Sequence, residues 1–538
     1  MKKRRIGILT LALASALLIT GCSTSSDTAN QDGDTVTVVG AYSQKVGTEV
    51  PPDTTPENQS FVKAAKDVYN INIKYLWTCP PDQFEQKIGV AMASGDLPDV
   101  MSVDVRQYEM LRDSGQLADI SSALENAASD KFKGYLYKNP EMMERMTDDE
   151  GKVYAIPQYW DSKRDLDLMY IRQDWLDNLG LSVPQTVEEL KEVAIAFSKN
   201  DPDGNGQEDT CGIAMAKGVD AWMCDIKSYF ASMNAYPKKW LSDGNGGVMA
   251  GEIQPEMKEA LSFMHELYAE GALDKEFITK DETKITEEII AGRYGIVYGP
   301  WHQMDAYLGK SIENTGANWV AYPIPGIGGQ GKPAIDRLTI EKYFVVNKNC
   351  ENPEAVIKLF DLFCDFTPGN YGEQATEAGG YVWDWVPTAY YDPYDIDTMY
   401  DKINKAMDEG PDSVELDADE QDVYERYQNY LKYQNGELPF SDAEFSYVIC
   451  RVAKDGTWAQ TRKIYDAGMY VFNEVSGMTC QSYQDKGVTL DTMTDEIITK
   501  IIVGESDISA FDQYVEDWKN LGGDDITREF SEQVAAQP

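Results

Sequence analysis

Apolar and polar positions along the chain follow two periods, and the switches between them outline the fold. Thr35–Ser43 (TVTVVGAYS) alternates and then turns apolar toward a glycine, which predicts a strand. Ser60–Tyr69 (SFVKAAKDVY) has helical spacing, with Ser60 as the expected N-cap. Ile71–Thr78 (INIKYLWT) predicts a second strand. The run QFEQKIGVAMASGDLPDVMSV then predicts a helix, a Gly-Asp-Leu-Pro break and a third strand. Strand, helix, strand, helix, strand is the rhythm of a parallel α/β sheet.

Further on, Thr186 precedes Glu189 by three residues, the signature of a capping box. Val187, Leu190, Val193, Ala194 and Phe197 then fall on one face, predicting a helix that ends near Lys199. The second half is richer in helical patterns and carries an acidic, tyrosine-rich stretch, Tyr381–Tyr433, whose period is hard to assign. No internal repeat is found.

The predicted helix runs straight into KNDPDGNGQEDTCG (199–212). Counting Asp201 as position 1, oxygen-bearing side chains stand at 1, 3, 5 and 9: Asp201, Asp203, Asn205 and Asp209. Gly206 sits at position 6, where a calcium loop must turn sharply, and Gln207 at position 7 can offer its backbone carbonyl. Hard oxygen donors at alternating positions suit calcium better than zinc. The loop departs from the calcium pattern at position 12, where Gly212 replaces a bidentate glutamate. A solvated Asx-rich turn is the plainer alternative. Catalysis fits poorly, because carboxylates on one tight loop converge on a point rather than flank a sugar bond.

Composition narrows the partners. The formal charge is −43, so phosphate backbones and anionic lipid surfaces would repel the body, and nucleic acid is excluded as a partner class. The N-terminus reads as a leader: Lys2, Lys3, Arg4 and Arg5, an apolar core Ile6–Ile19, then Thr20-Gly21-Cys22. Cysteine after Ile-Thr-Gly resembles the bacterial lipobox, which implies lipidation at Cys22. Ser23–Asp34 reads as a flexible tether. No later segment reaches the roughly 18 uninterrupted apolar residues of a membrane span. The expectation is a body held at the membrane only through its anchor. Seven further cysteines (Cys79, Cys211, Cys224, Cys350, Cys364, Cys450, Cys480) form no C-x-x-C pair and cannot all pair internally, so buried free thiols are expected.

Seven phrases occur in a telling order: ASGDLPDV, DSGQLADISSAL, GKVYAIPQ, YIRQDWLDNLGLSVPQTVEELKEVAIAF, DPDGNGQEDT, IIAGRYGIVYGPW and YPIPGIGGQGK. Together with the lipobox, the chain resembles the family 1 extracellular solute-binding lipoproteins of carbohydrate ABC transporters, especially the LplA-like branch. The match is good from Thr35 to Asn349 and loose beyond. The resemblance implies an α/β, two-lobed periplasmic-binding-protein-like fold of type 2, with hinge crossovers and ligand trapped in the interlobe cleft. It implies a division into leader 1–21, tether 22–34, first lobe 35–157, second lobe 158–300 with the acidic loop 201–210, first lobe again 301–370, and a helical part 371–538 mostly in the second lobe. It also implies structural calcium at Asp201, Asp203, Asn205, Gln207 and Asp209; Thr210 stands where some relatives carry a further acidic ligand. The implied partners are an oligosaccharide and the membrane permease subunits of an ABC importer. The implied state is a monomer on the outer face of a Gram-positive cytoplasmic membrane, with no catalytic role.

A sugar site wants aromatic platforms and short polar groups. Trp301 follows GIVYGP, at the end of a predicted strand where open α/β sheets bind ligands. Gln158, Tyr159, Trp160 and Asp161 follow the YAIP strand at an expected crossover. In YVWDWVP, Trp383 and Trp385 share one side of an extended stretch and Asp384 the other. Asp104 and Arg106 follow the third strand. Trp77 and Trp222 are further indoles. His265 reads as a helix-face residue and has no histidine near it in sequence, which argues against zinc. Two other classes stay open: a receptor for peptides or another small solute, and an exported glycoside hydrolase, for which Asp384 is the one inviting carboxylate.

Overall fold

The computed structural model describes residues 33–41, 53–80, 83–148, 150–219, 223–337, 339–372, 374–375 and 385–536. Two mixed sheets organise them. The first runs in the order Ile71–Cys79, Asp34–Ala41, Val100–Val103, Thr339–Val346, Ala155–Trp160. Asp34–Ala41 pairs parallel with both of its neighbours, and Thr339–Val346 pairs antiparallel with both of its own. The second sheet runs Trp319–Pro323, Leu168–Arg172, Tyr294–Gly299, Cys211–Ile213. Each sheet is the centre of one lobe.

The alternating strand and helix pattern is realised, but the first sheet is not all parallel. The chain leaves it at Trp160, enters the second sheet at Leu168, leaves that at Pro323 and returns at Thr339. It comes back through the same hinge by which it left, so the returning strand must run against the departing one. The return falls after Pro323, because Trp319–Pro323 pairs with Leu168–Arg172 in the second sheet. Residues 301–323 therefore belong with the second lobe, whereas the sequence had suggested the first. A third crossing follows: Trp385, Val386, Ala389 and Tyr390 pack in the first core, and from Ile396 onward side chains pack in the second.

Local chemistry sets the helix ends. Thr186 caps Val187–Lys199 by accepting from the Glu189 N–H at 3.3 Å, and the five apolar residues on one face are all buried. The reciprocal bond comes from the Gln185 N–H to Glu189 Oε2 at 2.7 Å. Ser60 is the first residue of its helix rather than the cap; Gln59 precedes it and donates Nε2 to the Trp385 carbonyl at 3.3 Å. Among the described residues none of the seven body cysteines is joined in a disulfide, and six are buried. Among the described residues no helix is long and apolar enough to cross a membrane.

Candidate functional site

The three crossings meet between the lobes. Residues 161–167 form the first, through a 3-10 turn Ser162–Asp165 capped by Asp161, whose side chain accepts from the Lys163 N–H at 3.1 Å. Lys163 Nζ bridges Asp161 Oδ2 (2.5 Å) and Asp397 Oδ2 (2.8 Å), tying the first crossing to the helix that follows the third. Asp161 is buried by this pairing. Burial takes water from Lys163, but the two carboxylates outweigh that and raise its pKa.

Beside this staple runs a stack of rings and guanidinium groups. Arg164 lies 4.0 Å from the Trp160 ring and 5.7 Å from the Trp301 ring, and pairs with Asp395. Arg451 also sits 4.9 Å from the Trp301 ring; it covers Tyr447 at 3.8 Å and pairs with Asp305 at 2.9 Å. Trp301 also meets Trp458 edge-on at 5.7 Å. Each such cation–ring contact contributes about 0.5–2 kcal/mol. Trp160 keeps part of its surface open, donates Nε1 to Glu341 Oε2 at 2.8 Å and lies against Tyr391 at 5.5 Å.

Carboxyl groups lie along the hinge segments and beside them. Asp165 accepts from the Thr339 hydroxyl and, at 3.4 Å, from the Asp336 N–H. Desolvation first, and the charge of Asp336 second, push its pKa up to about 6. Asp336 in turn takes Asn473 Nδ2 at 2.7 Å and Lys239 Nζ at 3.4 Å. Asp167 rises to about 7 through desolvation and the charge of Asp225; the Ser228 hydroxyl lies 2.6 Å from an oxygen of each. Asp165 and Asp167 keep part of their surface open but are largely shielded from water. Such groups accept hydrogen bonds from hydroxyls and, near neutral pH, share protons.

The other sequence candidates have different surroundings. Gln158 and Tyr159 lie inside the first lobe with no exposed surface: Gln158 Oε1 accepts from the Tyr391 N–H at 2.9 Å, and Tyr159 donates to the Tyr135 carbonyl at 3.4 Å. Trp385 packs in the first core, where its carbonyl accepts from Tyr75 OH at 2.7 Å. Trp77 is half-buried against Phe84. Asp104 caps helix Val105–Asp113 and pairs with Arg106 at 3.4 Å. The lobes touch here, Gln484 donating to Glu109 at 3.3 Å. His265 binds the Ile502 carbonyl at 3.0 Å, a helix-packing role. Cys22, Trp222, Trp383 and Asp384 lie outside the described residues. Sequence reasoning missed Arg164, Asp165, Asp167, Asp336 and Arg451. The charged run DSKRDLD between two apolar strands was the available signal for the first three.

In the acidic loop, Asp201 (φ +48°), Gly204 and Gly206 adopt left-handed backbone, which folds the chain round its own carboxylates. Asp201 accepts from the Asn205 and Gly206 N–H groups at 3.1 and 3.0 Å. The Asn205 amide NH2 lies between Asp203 Oδ2 (2.9 Å) and Asp209 Oδ1 (3.2 Å), where two carboxylates converge. Desolvation raises the Asp203 pKa, and the neighbouring Asp201 and Asp209 push the same way. Among the described residues no three His, Cys, Asp or Glu side chains are grouped to hold a metal ion. The all-oxygen donor set nevertheless suits a hard cation once the Asn205 amide turns its oxygen inward.

The bacterial extracellular solute-binding protein family matches residues 51–363, more than half of the chain. Lipoprotein LipO of Bacillus subtilis (strain 168) is 25% identical over 535 residues, covering 96% of each chain. The polygalacturonan/rhamnogalacturonan-binding protein YtcQ of the same organism is 24% identical over 494 residues, covering 89% of this chain and 88% of YtcQ. Among solved structures, the S. pneumoniae ABC-transporter substrate binding protein FusA EF-hand mutant in complex with fructo-nystose superposes with a TM-score of 0.63. It is 16% identical and covers 93% of this chain and 99% of FusA, a likeness of fold.

Proposed function

The chain belongs to the bacterial extracellular solute-binding protein family, and we propose that it is a receptor that captures an oligosaccharide between its lobes and delivers it to an ABC importer permease. The observation that carries this reading is the hinge floor. The partly open Trp160 ring, held by Arg164 and Tyr391, stands in the same hinge as the carboxyls of Asp165 and Asp336. An indole face suits the CH side of a sugar, and carboxyls accept from its hydroxyls. The relatives named above for a polygalacturonan and for fructo-nystose support the same ligand class. The receptor releases its cargo unchanged, as members of a binding family do. Lipidation at Cys22 would hold it as a monomer on the outer face of the membrane, in keeping with a lipoprotein relative. Calcium in the loop 201–210 would be gripped by Asp201, Asp203, Asn205, Gln207 and Asp209, away from the hinge. It would pin the end of helix Val187–Lys199, a role consistent with the EF-hand relative.

The test is thermal unfolding of the mature protein, with calcium present, against a panel of oligosaccharides and a peptide mixture. A ligand at one hundred times its dissociation constant adds about 2.7 kcal/mol. A rise in melting temperature with one glycan class, with no product formed on incubation, supports the receptor. A response to peptides alone refutes the ligand class.

A further inference from the structure

Each sheet is covered on both faces, because neighbouring residues of a strand point to opposite sides. In the first sheet Val38, Val100 and Phe344 join the core under helices Ser60–Tyr69 and Pro353–Asp365, whereas Val39, Met101 and Val345 join the core under Phe84–Ser94 and Val105–Asp113. In the second sheet Ile171 and Ile296 share a core with helix Gln481–Ile502, and Tyr170 and Val297 share the opposite one with helix Ala418–Gln434. Two of the hydrogen bonds that join the lobes lie outside the three crossings, one on each side. On the first side, Gln484 Nε2 of helix Gln481–Ile502 donates to Glu109 Oε2 of helix Val105–Asp113 at 3.3 Å. On the other, the Gly369 N–H of the short helix Pro368–Tyr371 donates to Asp419 Oδ1 of helix Ala418–Gln434 at 3.1 Å. Tyr371 of that short helix packs against the core that holds Val38 and Phe344, which fixes the face.

The hinge runs between these two bonds. Its segments continue strands Ala155–Trp160 and Thr339–Val346 of one sheet into Leu168–Arg172 and Trp319–Pro323 of the other, so it lies in the layer of the sheets. A lobe that bends toward one face therefore presses the contact on that side and pulls the other apart. Both bonds are made at once here, so a bend either way breaks one of them. Each is a single hydrogen bond of small net worth, and neither clamps the lobes. The two sides are built differently. On the Glu109 side, burial is the main cause that raises the Glu109 pKa, a sign that water is partly excluded. The Arg106 guanidinium of the first lobe is among the charges that act on Tyr483 and Asp491 of the second. On the other side the backbones come close: a Cβ on Gly369 would stand 3.1 Å from Ala418 Cβ and 3.2 Å from Asp419 Oδ2.

We propose that the Glu109–Gln484 and Gly369–Asp419 contacts are opposing stops: the lobes rock across the layer of the sheets, and the balance of the two contacts sets the resting bend. The inference goes beyond the receptor reading and needs no assumption about the solute. The experiment is pulsed electron–electron distance measurement between spin labels at Met110→Cys and Val488→Cys, both well exposed on the Glu109 side. It uses the mature, calcium-loaded protein without solute at pH 8. Cys22→Ser and Cys350→Ser form the background, since the other body cysteines are buried. Four variants are compared in it, and their melting temperatures verify folding. Gln484→Ala removes one stop, and Arg106→Glu sets a carboxylate toward Asp491; both should lengthen the label distance by several ångströms. Asp419→Ala removes the other stop, and Gly369→Phe wedges that side apart; both should shift the same distance distribution to shorter values. A label distance that Gly369→Phe and Asp419→Ala lengthen or leave unchanged overturns the proposal, as does one that Arg106→Glu leaves unchanged. Either result leaves the receptor reading intact, because no solute enters the measurement.

Discussion

The charge state of Glu252 gives the sharpest test of the second lobe's energetics. Desolvation is the main cause that raises its pKa, and Asp491 adds to it. Bonds from the N–H groups of Glu252 and Lys238, and the Lys238 charge, oppose them; the net value is pushed up to about 7 from an ordinary 4.5. An acid with a raised folded pKa binds more protons folded than unfolded throughout that interval. Its burial is therefore a full penalty above about pH 7, relieved progressively as the pH falls toward 4.5. The gap corresponds to roughly 3 kcal/mol. Gln at the same place keeps the shape and carries no charge. Scanning calorimetry of ligand-free wild type and Glu252→Gln at pH 8 and pH 5 should show the variant melting several degrees higher at pH 8, and the difference shrinking strongly at pH 5. Asp165 and Asp167 titrate in the same window in both proteins, so they cancel in the comparison. A difference that is the same at both pH values, or that widens in acid, would refute the assignment of a strained buried charge to Glu252.

Three further outcomes are expected. Millimolar calcium added to chelator-treated protein should raise its melting temperature, and Asp203→Asn should remove most of that rise; no shift in wild type counts against the metal loop. Trp301→Ala should destabilise the second lobe by about 3–5 kcal/mol in denaturant titrations, because the ring is 7% exposed and in contact with Arg164, Arg451 and Trp458, whereas Trp301→Phe should cost clearly less. Gly295→Ala would set a Cβ 2.2 Å from Phe197 Cδ2 and 2.6 Å from Trp175 Cε3; a loss of about 1–3 kcal/mol, partly recovered in the double variant with Phe197→Leu, is the outcome to check by the same titration.

The sequence carried the elements better than their destinations. The face Val187, Leu190, Val193, Ala194, Phe197 is buried as its spacing requires, since an amphipathic stripe has one way to leave water. The strands near 34, 71 and 100 pair where their patterns stand. The lobe of 301–323 was not legible, because Trp319–Pro323 carries no mark of which sheet will accept its backbone bonds. Only the partner strand Leu168–Arg172, about 150 residues earlier, decides it. Among site residues, indoles drew attention by type. Trp160 does lie in the hinge, but Trp385 lies in the first core, since an indole serves as core filler as readily as platform. Arg164 was invisible for the opposite reason. A charged residue in a polar linker is usually solvated, and only the folded positions of Trp160 and Trp301 turn it into a spacer between two rings.

The hinge has to solve two physical problems at once, and its composition follows from them. If the three crossings were joined by apolar packing, water could not enter between the lobes without a large penalty, and the cleft would stay shut without cargo. The structure joins them instead by charge pairs that remain satisfied when wet: Lys163 with Asp161 and Asp397, Arg164 with Asp395, Lys239 with Asp336. Their net contribution is small where water reaches them, so they fix geometry without forcing closure. The penalty appears in the groups left over, Asp165 and Asp167, whose raised pKa values record hydration lost without full replacement. On the proposed reading, a ligand rich in hydroxyls would supply the missing donors to these two carboxyls. Closure on such a ligand would then draw its free energy from pairing groups that are already partly dry, a route by which a polar floor binds without a large apolar surface.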